Sequence, residues 1–133
     1  MPIRIFWTEN TKDNIRRLAI NLYRQSRFEL KMFKKTNDRT YLLQAGEKAY
    51  NIVTQIANYE LMKKNLNKTR THEDTRRFYS QHKIKSLKNE TLKKLIKFGN
   101  HLHYNFYNNE APSNVLVRKT EYILDTAKRY LNL

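Results

Sequence analysis

The chain contains no cysteine and has only two glycines and two prolines among its 133 residues. Without cysteine, it forms no disulfide, no thiolate zinc site and no cysteine nucleophile. An all-β sandwich or barrel needs a turn about every 8 to 12 residues, and so few turn-forming residues exclude that class. No glycine-rich phosphate-binding motif occurs either.

Long apolar runs are missing as well. No stretch approaches the about 18 consecutive apolar residues that a membrane span requires. The apolar run that follows Met1 is too short for the core of a signal peptide. We therefore expect a cytoplasmic protein without membrane contact. The length suits a single helical domain over residues 1–133, with an N-terminal arm at residues 1–10.

Positive charge dominates the composition, because 27 lysines and arginines face only 12 acidic residues, a formal net charge of +15. Apolar residues make up 39% and aromatic residues 12% of the chain, which is too much for a disordered protein. The excess charge is concentrated in residues 1–40 and 71–98, whereas residues 99–133 are nearly neutral. A phosphate backbone is the commonest partner of such a field, since each neutralised phosphate releases a counterion. A solvated lysine-rich surface without a binding role is the alternative.

Apolar residues recur at helical spacing along most of the chain. They predict long helices near residues 11–35, 39–65 and 90–107 and from the turn at 108–113 to about 131, with a shorter helix near 72–82. Short links between long helices are typical of bundles, so we predict an all-α fold, an antiparallel bundle of four longer helices plus one short helix. Asn37 and Asp38 should end the first helix and cap the second. Gly46, which costs the second helix about 1 kcal/mol relative to alanine, favours a close helix crossing over a close ligand approach.

The first helix carries two stripes of different character. Its predicted inner face consists of Ile15, Leu18, Ala19, Leu22, Ser26, Leu30 and Phe33. Its basic residues also recur three, four and seven apart, which places them on a second stripe. Together with one lysine of the 90–107 helix, they form the predicted nucleic-acid-binding set, namely Arg17, Arg24, Arg27, Lys31, Lys34 and Lys97.

The histidines do not form a metal site by spacing. His101 and His103 are two residues apart, so they point about 200° apart on a helix and do not share a ligand. We predict neither a metal nor a cofactor. Asn100, His103 and Tyr107 share one stripe of the same helix. Either His103 is a hydrogen-bonded structural histidine, which we favour, or the three side chains form a ligand pocket for a nucleotide.

Three segments carry a resemblance to a known family. The segment LHYNFYN at 102–108 resembles the L-H-x-N-F-Y-E segment of the archaeal PaREP-type proteins, which belong to the HEPN superfamily. The segment QAGEKA at 44–49 resembles that family's Q-A-S-E-K-[LA] helix, and HED at 72–74 lies where the family has a short histidine-containing segment. The resemblance spans residues 40–130, with Asn108 in place of the family's glutamate. It implies a HEPN-like bundle, often a homodimer.

The resemblance also raises the question of catalysis. Some HEPN proteins are metal-independent ribonucleases whose R-x(4–6)-H motif assists attack of a ribose 2′-hydroxyl on the adjacent phosphate. Arg77 and His82 match this spacing and are weak catalytic candidates, whereas the arginine position before His103 holds Lys97 or Phe98. We therefore predict a non-catalytic, homodimeric module that binds nucleic acid or a nucleotide. The alternatives are a toxin-like ribonuclease and a basic structural protein that coats DNA.

Overall fold

The computed structural model describes residues 9–63 and 89–133, and within these ranges the chain is helical and contains no strand. Four helices follow in order: α1 (Glu9–Thr36), α2 (Arg39–Lys63), α3 (Asn89–Asn108) and α4 (Ser113–Tyr130). The all-α class and the four longer helices are thus confirmed. Residues 1–8 of the expected N-terminal arm and the expected short helix at 72–82 lie outside the described residues.

The link between α1 and α2 consists of two residues that close one helix and open the next. Asn37 adopts a left-handed conformation with φ 60°, and its amide donates to the carbonyl of Phe33 over 2.7 Å. The Asp38 carboxylate accepts a hydrogen bond from the amide of Thr40 at 3.0 Å. These are the left-handed end and the side-chain cap expected of asparagine and aspartate, so the predicted cap is confirmed.

Helix α2 lies at the centre of the bundle, because it packs against α1, α3 and α4. Helix α4 also packs against α1 and α3, whereas α1 and α3 do not contact each other in the described residues. One cluster of buried apolar side chains draws on all four helices, with Ala19, Ile52, Leu95 and Ile123 among its members. No described helix combines the length and the apolar character needed to cross a bilayer.

The predicted inner face of α1 is wrong at one position. Leu18 is 45% exposed, whereas Ile15, Ala19, Ser26 and the rest of the stripe are buried or half-buried. The buried line of α1 advances by three or four residues at a time, and Leu18 lies about 100° around the helix from Ala19. Among the described helices, only α2 and α4 cover α1, and the stripe that they bury does not include Leu18.

Close approach of α2 and α3 occurs at the two glycines. A β-carbon built on Gly46 would lie 3.2 Å from Cδ2 of Leu102, and one built on Gly99 would lie 3.4 Å from Cδ1 of Tyr50. The helix crossing predicted at Gly46 is therefore confirmed. Tyr50 was not predicted as a core residue, yet it is buried at this crossing.

Side chains of α2 and α3 hold the turn that precedes α4. The buried Asn105 amide accepts hydrogen bonds from the backbone amides of Glu110 and Ala111, at 3.0 and 2.7 Å. From the first position of α2, the guanidinium of Arg39 donates to groups of Asn109, Ala111 and Ser113. These bonds hold the turn in place and so determine where α4 begins.

Candidate functional site

An open groove of about 860 Å³ runs between α1 and α4. Its floor includes the buried side chains of Tyr23, Leu30 and Leu124. The basic groove, as it is called here, is lined by five cationic side chains, Arg24, Arg27, Lys31 and Lys34 of α1 and Lys128 of α4. Four of the six residues predicted to bind nucleic acid thus line one surface.

The spacing of these residues explains why they converge. Arg24, Arg27, Lys31 and Lys34 are three, four and three residues apart, which places them on one face of a helix. That face looks toward α4 because the neighbouring face, which includes Ser26, is bound to α2 by a hydrogen bond to the carbonyl of Ala45. All four cations are exposed to solvent and accessible to a ligand.

Two carboxylates in the groove offset only part of its positive charge. Lys34 forms an ion pair with Glu121 over 2.8 Å, and Asp125 is the second acidic residue of the lining. Because both partners of the Lys34 pair are about half exposed, the pair contributes little to stability and leaves the groove net positive. Arg24 and Lys31 form no ion pair with any described carboxylate.

Aromatic side chains accompany the cations. Phe28 lines the groove and is 60% exposed, which is unusual for a large apolar side chain. The guanidinium carbon of Arg27 lies 5.6 Å from the ring centroid of Tyr23, and its Nη1 donates to the Tyr23 hydroxyl at 3.3 Å. An exposed ring among cations is a platform on which a nucleobase stacks. Phe28 was not predicted as part of a binding surface, although it directly follows Arg27 of the basic stripe.

The other two predicted residues lie elsewhere. Arg17 is exposed on α1 but does not line the basic groove, and Lys97 is exposed on α3, which makes no contact with α1. Lys128 was not predicted as a binding residue, because it lies in a segment whose net charge is almost zero. The predicted set therefore does not form one surface.

His103 belongs to a cluster at the crossing of α2 and α3. Its Nδ1 lies 2.9 Å from both carboxylate oxygens of Glu47. Its ring stacks on Tyr50, with centroids 4.4 Å apart, and meets the ring of Tyr107 edge-on at 5.2 Å. Asn100 is half-buried one turn earlier on the same helix. The structure thus brings His103 and Tyr107 together and adds two residues of α2 that the sequence analysis did not assign.

The carboxylate of this cluster, Glu47, is partly buried, and burial changes its pKa. Burial raises the pKa of Glu47 above its ordinary value of 4.5, and the hydrogen bond and charge of His103 oppose that rise without cancelling it. Tyr107, at 70% exposed, and Tyr104, at 49%, both lie on the surface of α3 rather than in the core. The Tyr104 hydroxyl donates to Glu110 over 3.1 Å, and this contact raises the pKa of Tyr104.

Two of the three segments that resemble the family meet at this crossing, and the third, at 72–74, lies outside the described residues. Glu47 belongs to the QAGEKA segment and His103 to the LHYNFYN segment, and they are paired. Gly46 and Leu102, which come from the same two segments, are in contact range at the closest approach of the helices. The presence of a carboxylate in one segment and a histidine in the other is the signal that could have predicted the pair.

The weak catalytic candidates Arg77 and His82 lie outside the described residues. Within the described ranges, no group of three or more histidine, aspartate or glutamate side chains is arranged to hold a metal ion. No protein-family model, curated protein or solved structure matches this chain.

Proposed function

We propose that this protein binds nucleic acid and that the basic groove is the surface that contacts the phosphate backbone. One observation carries the proposal: Arg24, Arg27, Lys31 and Lys34 of α1 line a single open groove with an exposed phenyl ring among them. Cations contact phosphates, and an exposed aromatic ring stacks on a base regardless of sequence. Both contributions favour a strand bound without sequence preference.

The dimensions of the groove favour a strand over a mononucleotide. From Arg24 to Lys34 the helix advances ten positions, which corresponds to about 15 Å at about 1.5 Å per residue. That length exceeds a single nucleotide and allows contacts with successive phosphates. Because the groove is open along its side, a strand enters it without threading.

The test is a charge reversal with a matched control. The groove variant, Arg24→Glu with Lys31→Glu, leaves the Lys34 ion pair with Glu121 in place. The control variant, Lys35→Glu with Arg129→Glu, makes the same change in net charge at two exposed positions outside the groove. Binding is measured by fluorescence anisotropy with labelled single-stranded RNA, single-stranded DNA and duplex DNA, each of about 20 nucleotides, over a series of salt concentrations.

We expect the affinity of the wild type to fall steeply with salt. Each phosphate contact contributes about 0.7 to 0.9 to the slope of the logarithm of the binding constant against the logarithm of the salt concentration. The groove variant should lose at least about tenfold in affinity, whereas the control should stay within about twofold. Equal losses in both variants would indicate a general charge effect and remove the groove from the proposal. Degradation of the RNA in the presence of a chelator would replace it with the ribonuclease alternative.

We also infer a HEPN-like, antiparallel arrangement and a homodimer that acts in the cytoplasm. The two-residue link between α1 and α2 and the short turn before α4 support neighbouring helices of opposite direction. The meeting of the two family-like segments through Glu47 and His103 supports the HEPN-like part. Since His103 is hydrogen-bonded and stacked, its contacts favour a structural role over a ligand pocket.

A further inference from the structure

A second group of basic side chains lies where α4 packs against α3. The α3–α4 cluster consists of Lys94, Lys97 and His101 of α3 and Arg118 and Lys119 of α4. The three residues of α3 are three and four positions apart and so share one face of the helix. Of these five residues, only Lys97 belonged to the nucleic-acid-binding set predicted from the sequence.

Contacts across the helix pair position two of the lysines. The Nζ of Lys119 lies 2.7 Å from Nδ1 of His101 and 5.3 Å from the ring centroid of Phe98. The Nζ of Lys94 lies 5.6 Å from the ring centroid of Tyr122. Ammonium groups held over aromatic rings lose less side-chain freedom when they bind an anion.

The contact between Lys119 and His101 defines the state of the imidazole. An ammonium group only donates, so Nδ1 accepts and the neutral ring carries its hydrogen on Nε2. Burial, and then the charge of Lys119, lower the pKa of His101. Burial, followed by the charges of Lys97 and Arg118, lowers the pKa of Lys119. The positive charges of Lys97 and Arg118 therefore act on Lys119 at this junction.

No described carboxylate forms an ion pair with them. Elsewhere in the described ranges, Lys34 is paired with Glu121 and Lys48 with Glu29. None of the four lysine and arginine side chains of the α3–α4 cluster forms such a pair within those ranges. Like charges that converge without a counter-charge are unfavourable, and a bound dianion would relieve them.

We propose that the α3–α4 cluster is a second phosphate-binding site, separate from the basic groove. The exposed Arg118 presents a planar fork that donates hydrogen bonds to two phosphate oxygens, and the exposed Lys97 supplies a compact charge. Lys119, which is half-buried and held by His101, adds a positioned third charge. The phosphate comes either from a nucleic-acid strand or from a free nucleotide, and the first case rests on the proposed function.

The surface of α4 connects the cluster with the basic groove. A depression of about 690 Å³ is lined by Lys34, which also lines the basic groove, and by Arg118 and Tyr122. The carboxylates Glu121 and Asp125 lie in the same lining. A strand in the basic groove therefore reaches Arg118 from Lys34 along this depression. A strand of several nucleotides is long enough to contact both sites at once.

The test reports on the cluster itself through the imidazole of His101. The ¹H–¹⁵N signals of His101 are assigned with a His101→Gln variant and followed while three probes are added separately: inorganic phosphate, adenosine 5′-monophosphate and single-stranded RNA of about 20 nucleotides. The cluster variant, Lys97→Glu with Arg118→Glu, changes two exposed side chains. It is compared with the Lys35→Glu, Arg129→Glu control, whose net charge is the same.

We expect a saturable shift of the His101 signals in the wild type. The probe concentration at half-saturation should rise at least about tenfold in the cluster variant and stay within about twofold of wild type in the control. A shift with RNA alone identifies a strand phosphate. A shift with inorganic phosphate shows that the phosphate group alone is bound, and a shift with the monophosphate shows that a free nucleotide is bound. Either shift supports the site even if no nucleic acid binds.

Two results overturn the second site: unmoved His101 signals with all three probes, or equal shifts in the cluster and control variants. The basic groove is tested separately, because the Arg24→Glu, Lys31→Glu variant leaves the α3–α4 cluster unchanged. The proposed function would stand and the second site would be removed if the groove variant loses RNA binding while His101 of the wild-type protein responds to none of the three probes.

Discussion

Glu47 on α2 and His103 on α3 face each other, with both carboxylate oxygens 2.9 Å from Nδ1 of the imidazole. The pair ties the central helix to α3 beside the close approach at Gly46. It is partly buried, since the side chains are 17% and 23% exposed. The pair therefore has consequences for stability that separate a structural histidine from a ligand-binding one.

The first prediction concerns the pH dependence of Glu47. Because its pKa in the folded protein lies above the ordinary value of 4.5, the folded chain binds this proton more tightly than the unfolded chain does. The stability that protonation of Glu47 contributes is therefore fully present below about pH 4.5, and it is lost as the pH rises through the pKa that Glu47 has in the folded protein. Glu47→Gln, which cannot ionise, should gain stability relative to wild type as the pH rises from 4 to about 7.

Chemical denaturation at several pH values measures this difference. Glu90→Gln, which changes an exposed carboxylate in the first turn of α3, is the control. A Glu47→Gln protein whose stability falls further behind wild type as the pH rises would show that attraction to His103 outweighs the cost of burying the carboxylate.

The second prediction is that His103→Ala destabilises the protein by about 1–3 kcal/mol without changing its affinity for nucleic acid. The substitution removes the bond to Glu47 and the stacking on Tyr50, and it leaves a partly buried carboxylate without its partner. Thermal melts and binding isotherms measure the two effects. Tyr107→Ala, at a position that is 70% exposed, should stay within about 0.5 kcal/mol of wild type.

The opposite result for His103→Ala has a definite meaning. A protein that melts like the wild type but no longer binds a nucleotide would identify Asn100, His103 and Tyr107 as a ligand pocket.

The third prediction contrasts the two glycines. Gly99→Ala should stabilise the protein by about 0.5–1 kcal/mol, because alanine is the better helix former and the new methyl group only touches Tyr50, at 3.4 Å. Gly46→Ala should gain less or lose stability, because Leu102 must move away from a methyl group at 3.2 Å. Urea denaturation compares the two, and a larger gain at Gly46 would contradict the close crossing there.

The fourth prediction is the homodimer. A chain of this size gains stability by burying a second apolar surface, and its last segment, residues 99–133, has little net charge to oppose association. Light scattering at micromolar concentration should give about twice the chain mass of 16.2 kDa. A mass that equals one chain at all concentrations would count against the dimer and against any HEPN-type site formed across it.

Local chemistry was sufficient to predict the helices. Apolar residues three and four apart define α1 to α4, and Asn37 and Asp38 end one helix and begin the next whatever surrounds them. Gly46 indicated the close crossing because glycine in a helix interior is unfavourable unless a neighbouring helix needs the space. The basic stripe of α1 also follows from spacing alone, since it depends only on the helical repeat.

Tertiary packing decided which faces meet and what each charge contacts. Among the described helices, only α2 and α4 cover α1, which leaves Leu18 exposed. Lys97 is separated from the basic groove because the described residues of α1 and α3 do not touch. Glu47 and His103 are 56 positions apart, so no local pattern pairs them. The same holds for Lys119 and His101, whose contact needs α4 to lie against α3. Periodicity fixes the direction of a side chain around its own helix, whereas its partner depends on how the helices are arranged.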